Sequence, residues 1–415
     1  MSHPVAALKS LLMKMLFLQD VASIPKMTDL DDQDWMSLLA MVKEHRLGPM
    51  LHWRLTRECT SLVVPQALRE YSADSFKTAT LRALRMQREL IQVHQILKSA
   101  NIPHAALKGA WLAYHVYPQP GLRPLRDLDI LVPESEVLRA FQVLLDGGCT
   151  RLPQYDGTPE GWMQHAKHMP PVRAQDGKVN VELHLRLYPP ESGGKFGFEL
   201  SDDAEFWQRC ISSEVAGSAV TYLAPTELLL HLIVHAVYDH QFTNGPLLIS
   251  DLGQVLRKYS IDWPRFWDLA NRGGHAKGAV LALRLVESYW GTLPVEWEHA
   301  GIGAEEIESD VLEASTQLIL RDFEARRDVS LDHALSAQPT LMKKLGLVLG
   351  KLMPPKSRMA SAYPVSEHSP WVYFWYPAHW WRLLGSRLPE YFAAKGQNHL
   401  QKEVVQLAVL NNWLR

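Results

Sequence analysis

The chain has 415 residues, 47% of them apolar and 21% charged, an ordinary globular composition in a chain too long for a single hydrophobic core. A formal net charge of −2 lacks the basic footprint of a general nucleic-acid binder. Three scattered cysteines, Cys59, Cys149 and Cys210, give no disulfide framework and suit a reducing compartment. No window reaches the roughly 18 apolar residues of a membrane span. Lys9 and Lys14 interrupt the amphipathic start where a signal peptide stays apolar, so the chain is read as cytoplasmic, with no stable membrane insertion.

Residues 1–100 read as an N-terminal helical region. Trp35, Leu38, Leu39 and Val42 recur at helical spacing, and the run Leu81 to Leu97 is periodic and free of Gly and Pro. Residues 102–107 read as a short strand, Lys108-Gly109 as the turn after it, and Trp111 to Tyr117 as a resumed helix. Pro118 to Gly121 is a turn by composition. Asp127 to Val132 forms a second strand, and a helix opens at Pro133 to Glu136 and stops at Gly147-Gly148. Residues 150–178 are irregular and polar. Residues 179–187 then alternate: Val181, Leu183, Leu185 and Leu187 share one face, and Glu182, His184 and Arg186 the other. Residues 189–204 carry Pro189-Pro190 and Gly193-Gly194 and read as a loop, and from Thr226 the chain is helical again. The fold class is α+β, a small mixed β-sheet core flanked by N- and C-terminal helical regions. The expected division is a helical region at 1–100, an α+β core at 101–222, a helical cleft wall at 223–340 and a helical, Trp-rich tail at 341–415.

The most informative feature is the placement of Asp127 and Asp129 in an otherwise apolar strand. Side chains alternate along a strand, so both aspartates point the same way while Leu128, Ile130 and Val132 point into a core. Neighbouring like charges repel, and a divalent cation between them removes the conflict. Magnesium takes carboxylate oxygens and keeps positions open for phosphate oxygens. Glu182, on the polar face of the next strand, is the third carboxylate of a metal-binding and catalytic set, and it can also orient or deprotonate an acceptor hydroxyl. Lys108-Gly109, between strand and helix, allows close approach of backbone to an anion, with Lys108 as a point charge. Arg123 and Arg126 precede the aspartates and suit phosphate oxygens. The plainer alternatives are a solvated edge strand for the aspartates, a simple turn for Lys108-Gly109 and a salt bridge to Asp127 for the arginines.

His231 and His235 lie at i and i+4, followed by Asp239 and His240. Core histidines explain that spacing better than a zinc site, since the pattern lacks the glutamate of HExxH. A middle reading puts His235 and His240 on the helical side of a nucleotide cleft. Residues 340–358 carry Lys343, Lys344, Lys351, Lys356 and Arg358 and no acid, and four tryptophans follow between Trp371 and Trp381. Packing on the protein's own domain is the first reading of this segment, with peripheral membrane contact through 340–384 as the second.

These residues resemble an uncharacterised bacterial nucleotidyltransferase family of the DNA polymerase β-like superfamily. The likeness rests on Leu107-Lys108-Gly109, Tyr117-Pro118, the segment Arg123 to Val132, Glu182-Leu183-His184, the helix Leu228 to His235, and a turn at Asp251-Leu252. It spans roughly residues 35 to 260. Where the superfamily usually has Gly-Gly or Gly-Ser at the phosphate turn, this chain has Lys108-Gly109-Ala110, and the gap from Gly109 to Asp127 is longer. The resemblance implies a nucleotidyltransferase core and transfer of a nucleoside monophosphate from a nucleoside triphosphate, ATP in the first instance. Magnesium, or manganese in its place, is the implied cofactor. Asp127, Asp129 and Glu182 would hold it, and Lys108, Gly109, Arg123, Arg126 and His235 would bind the nucleotide. The acceptor, whether protein, small molecule, saccharide or RNA, is not named by the resemblance. The alternative on the same fold is a non-catalytic nucleotide-binding regulatory module.

Overall fold

The computed structural model describes residues 3–24, 29–153, 155, 157–188, 198–203, 205–301, 307–321, 341–383 and 398–414. Among these, one mixed seven-stranded sheet organises the chain. Its strands are β1 (Ala105–Ala106), β2 (Asp127–Leu131), β3 (Thr150–Arg151), β4 (Val172–Arg173), β5 (Asn180–His184), β6 (Ile211–Val215) and β7 (Ser218–Tyr222), in the order β3-β4-β5-β2-β1-β7-β6. The three strands expected from the sequence are therefore central neighbours. β1 runs antiparallel to β2, and β5 runs parallel to β2. The β2–β5 register sets Asp129 directly beside Glu182.

The central strands are shorter than their sequence patterns. The Ile102 amide donates to Leu97 O, closing the end of the preceding helix, and Pro103 has no N–H, so β1 pairs only from Ala105. β5 stops at His184, because the amides of Leu185 and Arg186 turn to Lys167 O. Residues 150–178 are not wholly irregular: they contain β3, β4 and the helix Pro159–His165. The hairpin β6–β7 extends the sheet through parallel pairing of β7 with β1. Its turn residues Ala216 and Gly217 have φ of 47° and 78°, the paired left-handed conformation that suits a tight hairpin. Most of the expected 189–204 loop lies outside the described residues.

A 34-residue helix, Gln66–Ser99, packs on β2, β7 and the helix Val137–Asp146, which in turn packs on β5. Leu128, Ile130, Val181 and Leu183 are buried in the resulting core. On the other side lies the helix Pro225–Val234, buried from Thr226 to Val234: it is mostly apolar, and its Glu227 is paired with Arg209 and Arg265. It runs into a widened π-helical turn at His235–Asp239, a distortion often found at functional sites. The helix Leu247–Lys258 follows, so Asp251-Leu252 lies within a helix rather than at a turn. The helices Trp263–Arg272 and Ala276–Trp290 pack against Pro225–Val234.

In the tail, the helix Lys356–Ala362 docks on the helix Pro159–His165. A Cβ on Gly157 would collide with Ser361 O, and one on Gly161 would meet Ala360 C at 2.6 Å, so both glycines let two backbones approach. Met359, Tyr363, Val365, Val372 and Tyr376 form a separate small core, while Trp371, Phe374 and Trp381 remain exposed. Among the described residues, no helix is long and apolar enough to cross a membrane.

Candidate active site

A cavity of about 670 Å³ opens between β2 and β5 on one side and residues 232–251 on the other. Asp127, Asp129 and Glu182 line its sheet wall. The strand period puts the two aspartates on one face, and the parallel register with β5 brings Glu182 alongside Asp129. The expected helical far wall is present, but only its first part faces the cavity: Leu232, His235, Asp239 and His240, then Thr243 to Leu248 and Asp251. The helices from 263 to 290 pack behind.

The sheet wall is electrostatically unfavourable as it stands. Burial, then the charges of Asp129 and Glu182, push the Asp127 carboxyl up to about 7. Burial, then Asp129, push Glu182 up to about 7. Asp129 is buried too, but Lys108 and His184 overcome that burial and hold it well below the usual carboxylate range. Lys108 Nζ lies 3.4 Å from Asp129 Oδ1, and His184 Nε2 lies 2.8 Å from the same oxygen. His184 is fully buried, and burial, then Lys108, lower it to about 3, so a neutral ring donates from Nε2 and fixes the carboxylate's direction. His168 Nε2 approaches Glu182 Oε2 at 3.7 Å.

The basic residues named from the sequence divide into two kinds. Lys108 adopts φ of 39°, a left-handed conformation that strains a lysine, so the backbone irregularity falls on it rather than on Gly109. Gly109 is small for a different reason: a Cβ there would sit 2.8 Å from Leu125 Cδ2. Arg123 lines the cavity, but its charge is already matched: Nε donates to both Asp251 oxygens at 2.8 and 3.0 Å, and Tyr117 OH donates to Oδ1 at 2.7 Å. Arg123 thus ties the approach to β2 onto the helix Leu247–Lys258. Arg126 is exposed at the cavity mouth.

The helical side, by contrast, sets opposite charges together. Lys167 Nζ donates to Asp239 Oδ2 at 2.8 Å, and His235 Nδ1 lies 3.3 Å from that oxygen. Burial, then Lys108 and Lys167, hold His235 well below the ordinary histidine value, so it is neutral. His231 is buried behind it, with its ring stacked 6.0 Å from that of His235, and does not line the cavity. His231, His235 and Asp239 are not among the groups whose ligand atoms converge in the described residues, so the zinc arrangement is not formed. Lys167, His168 and Arg46 line the cavity without having been singled out by the sequence. Lys167-His168 stands in an aperiodic stretch, and Arg46 follows a helix, so neither carries a pattern that sequence reading can detect.

The donor set fits a divalent cation. Ligand atoms of Asp129, Glu182 and His184 all lie within 4.8 Å of one another, and Asp127 is close enough for its charge to be felt by the same groups. Two carboxyls that retain protons up to about 7 only because of burial and mutual repulsion would be relieved by a cation. Asp127, Asp129 and Glu182 are the hard oxygen ligands magnesium prefers, and His184 suits an orienting role behind Asp129. A second convergent group, Glu296, Glu298 and His299, lies exposed on the surface.

A family model described as uncharacterised nucleotidyltransferase matches residues 31–291, well over half of the chain, including every strand of the sheet. A comparison with curated proteins finds no match.

Proposed function

The chain belongs to this nucleotidyltransferase family, and from that premise we propose that it transfers a nucleoside monophosphate from a nucleoside triphosphate, ATP in the first instance, to an acceptor hydroxyl or phosphate. The observation that carries the reading is the register of β2 with β5, which aligns Asp129 with Glu182 and sets Asp127 on the same face of the cavity. Asp127, Asp129 and Glu182 would hold magnesium, or manganese in its place. When bound, such ions neutralise phosphate charge and favour ionisation of an attacking hydroxyl.

The chain's own groups would do the rest. Lys108, 3.4 Å from Asp129, sits at the strand-to-helix turn, where a phosphate meets both its ammonium and the adjacent backbone. Glu182 could also orient the acceptor hydroxyl or take its proton at a carboxylate oxygen. Asp239 and His235 on the opposite wall, with Lys167 reaching them from beside the end of β5, would hold base, ribose or acceptor, which is how positioning lowers the barrier. The acceptor can be a protein, a small molecule, a saccharide or RNA. A non-catalytic nucleotide-binding module is the weaker reading, since it has no use for three repelling carboxylates. The test is product identity. Incubation with ATP, magnesium and a cell extract should release pyrophosphate in step with modification of an acceptor; release of orthophosphate alone would overturn the reading.

A further inference from the structure

We propose that the lobe formed by residues 341–383 is a peripheral docking surface for an anionic lipid bilayer, with its exposed aromatic and aliphatic side chains entering the headgroup layer. The proposal is independent of the nucleotidyl-transfer reading and uses none of the residues that line the cavity.

The helix Leu341–Leu352 carries Met342, Leu345, Leu349 and Leu352 at a spacing of three and four, which makes one apolar stripe. Such a stripe normally packs into a core, yet all four side chains are exposed, and so is Met353 just beyond them. The segment Pro370–Phe374 and the helical residues 375–383 repeat the arrangement. Val372 and Tyr376 are buried in the small core, while Trp371, Tyr373, Phe374 and Trp381 are exposed, Trp381 at 81%. The two elements are fastened together. Trp380 Nε1 donates to Leu352 O at 2.7 Å, Tyr376 OH donates to Pro354 O at 2.6 Å, and His379 Nε2 lies 3.0 Å from Lys351 O. The exposed apolar groups therefore belong to one lobe, whose helix Lys356–Ala362 docks on Pro159–His165.

Charge points to the occupant. Residues 341–383 contain Lys343, Lys344, Lys351, Lys356, Arg358 and Arg382 against one acid, Glu367, in a chain whose formal net charge is −2. Lys356 Nζ lies 4.7 Å from the ring centroid of the exposed Tyr373, so a basic group and an aromatic one stand side by side. Two copies of so basic a lobe repel each other, whereas anionic headgroups attract it. Trp and Tyr favour the headgroup layer because each joins an apolar ring to a polar edge, and aliphatic side chains enter the acyl boundary beneath. Single-stranded nucleic acid would use the charge and the rings but has no place for a stripe of Met and Leu.

Flotation of the full chain with lipid vesicles tests this. The probes are vesicles of phosphatidylcholine alone and vesicles of phosphatidylcholine with phosphatidylglycerol. The chain should float with the anionic vesicles, bind the neutral ones about tenfold less, and leave the anionic ones as salt rises. Lys356→Gln should weaken binding about fivefold. Trp371→Ala combined with Trp381→Ala should weaken it about tenfold. Both tryptophans lie outside the small core, and thermal melts report the folding of the variants. A second readout needs no variant: lipid brominated on its acyl chains should quench the tryptophan fluorescence of the wild-type chain. Absence of flotation or of quenching, equal binding to the two compositions, or unchanged binding in the tryptophan variant would overturn the proposal. So would a wild-type dimer that the tryptophan variant converts to a monomer, or a single-stranded oligonucleotide that binds in place of the vesicles.

Discussion

The two walls of the cavity are built on opposite electrostatic principles. On the helical side, opposite charges meet: Lys167, from beside the end of β5, reaches Asp239 at 2.8 Å, and His235 shares the same oxygen. On the sheet wall, Asp127, Asp129 and Glu182 face one another, and two of the three are raised to about 7. The helical side thus sets opposite charges together, although burial still lowers Lys167 and raises Asp239, and the sheet wall sets like charges together on the backbone ladder beneath it. That difference identifies the sheet wall as the place where an external charge is needed.

The contrast can be broken most severely by Asp129→Asn. We expect transfer to fall by about a thousandfold or more, since this residue would anchor both charge neutralisation and the adjacent Lys108, while the fold, followed by circular dichroism, is kept. Stability should then separate the walls. Asp239→Ala leaves Lys167 buried without its partner and should cost about 3 kcal/mol in urea unfolding. Asp127→Asn removes a repulsion and should cost nothing or stabilise slightly. Equal losses in the two variants would erase the distinction drawn here.

A third, smaller effect concerns pH. Asp127 and Glu182 have folded-state values raised above those of an unfolded chain, so the folded protein binds extra protons between about pH 4 and 7, and their contribution to stability falls as pH rises through that window. A divalent ion displaces these protons. The rise in Tm produced by magnesium should therefore grow between pH 6 and pH 8, with affinity changing about tenfold per pH unit for each proton displaced. The lowered histidines, His184 and His235 among them, act in the opposite sense, losing stability as pH falls below about 6.5, and they cancel when melts with and without metal are compared. A metal increment independent of pH would remove the carboxylates from the binding site. The smallest expected effect is that of His235→Ala, which should raise KM several-fold with less change in kcat, as fits a wall that positions rather than reacts. Loss of kcat as deep as in Asp129→Asn would move chemistry onto that helix.

Much of the sheet wall was legible in the sequence because a strand's two-residue period converts spacing directly into direction. Asp127 and Asp129 could be read as a pair, and the alternation around Glu182 placed it on a polar face. The register that aligns Asp129 with Glu182 follows from pairing between segments far apart in the chain, which no local pattern encodes. The short strands β3 and β4 are not legible, since two residues carry no periodicity. The hairpin of Ile211–Val215 with Ser218–Tyr222 was not read from the sequence, because Ala216 puts an alanine where a two-residue turn usually has Asn, Asp or Gly. Lys167 and Arg46 reach the cavity from turns, where side-chain direction depends on tertiary context. Arg123 was expected at phosphate and is matched by Asp251, 128 residues away, a partner visible only in the fold.

The most direct measurement of the central claim is transfer of label from ATP carrying the isotope at the α-phosphate, run beside ATP labelled at the γ-phosphate, with wild-type protein and Asp127→Asn in the same extract. Acceptor should be labelled only from the α-position, only with a divalent metal, and only by the wild-type protein. Label from the γ-position, or equal α-label with Asp127→Asn, would contradict it.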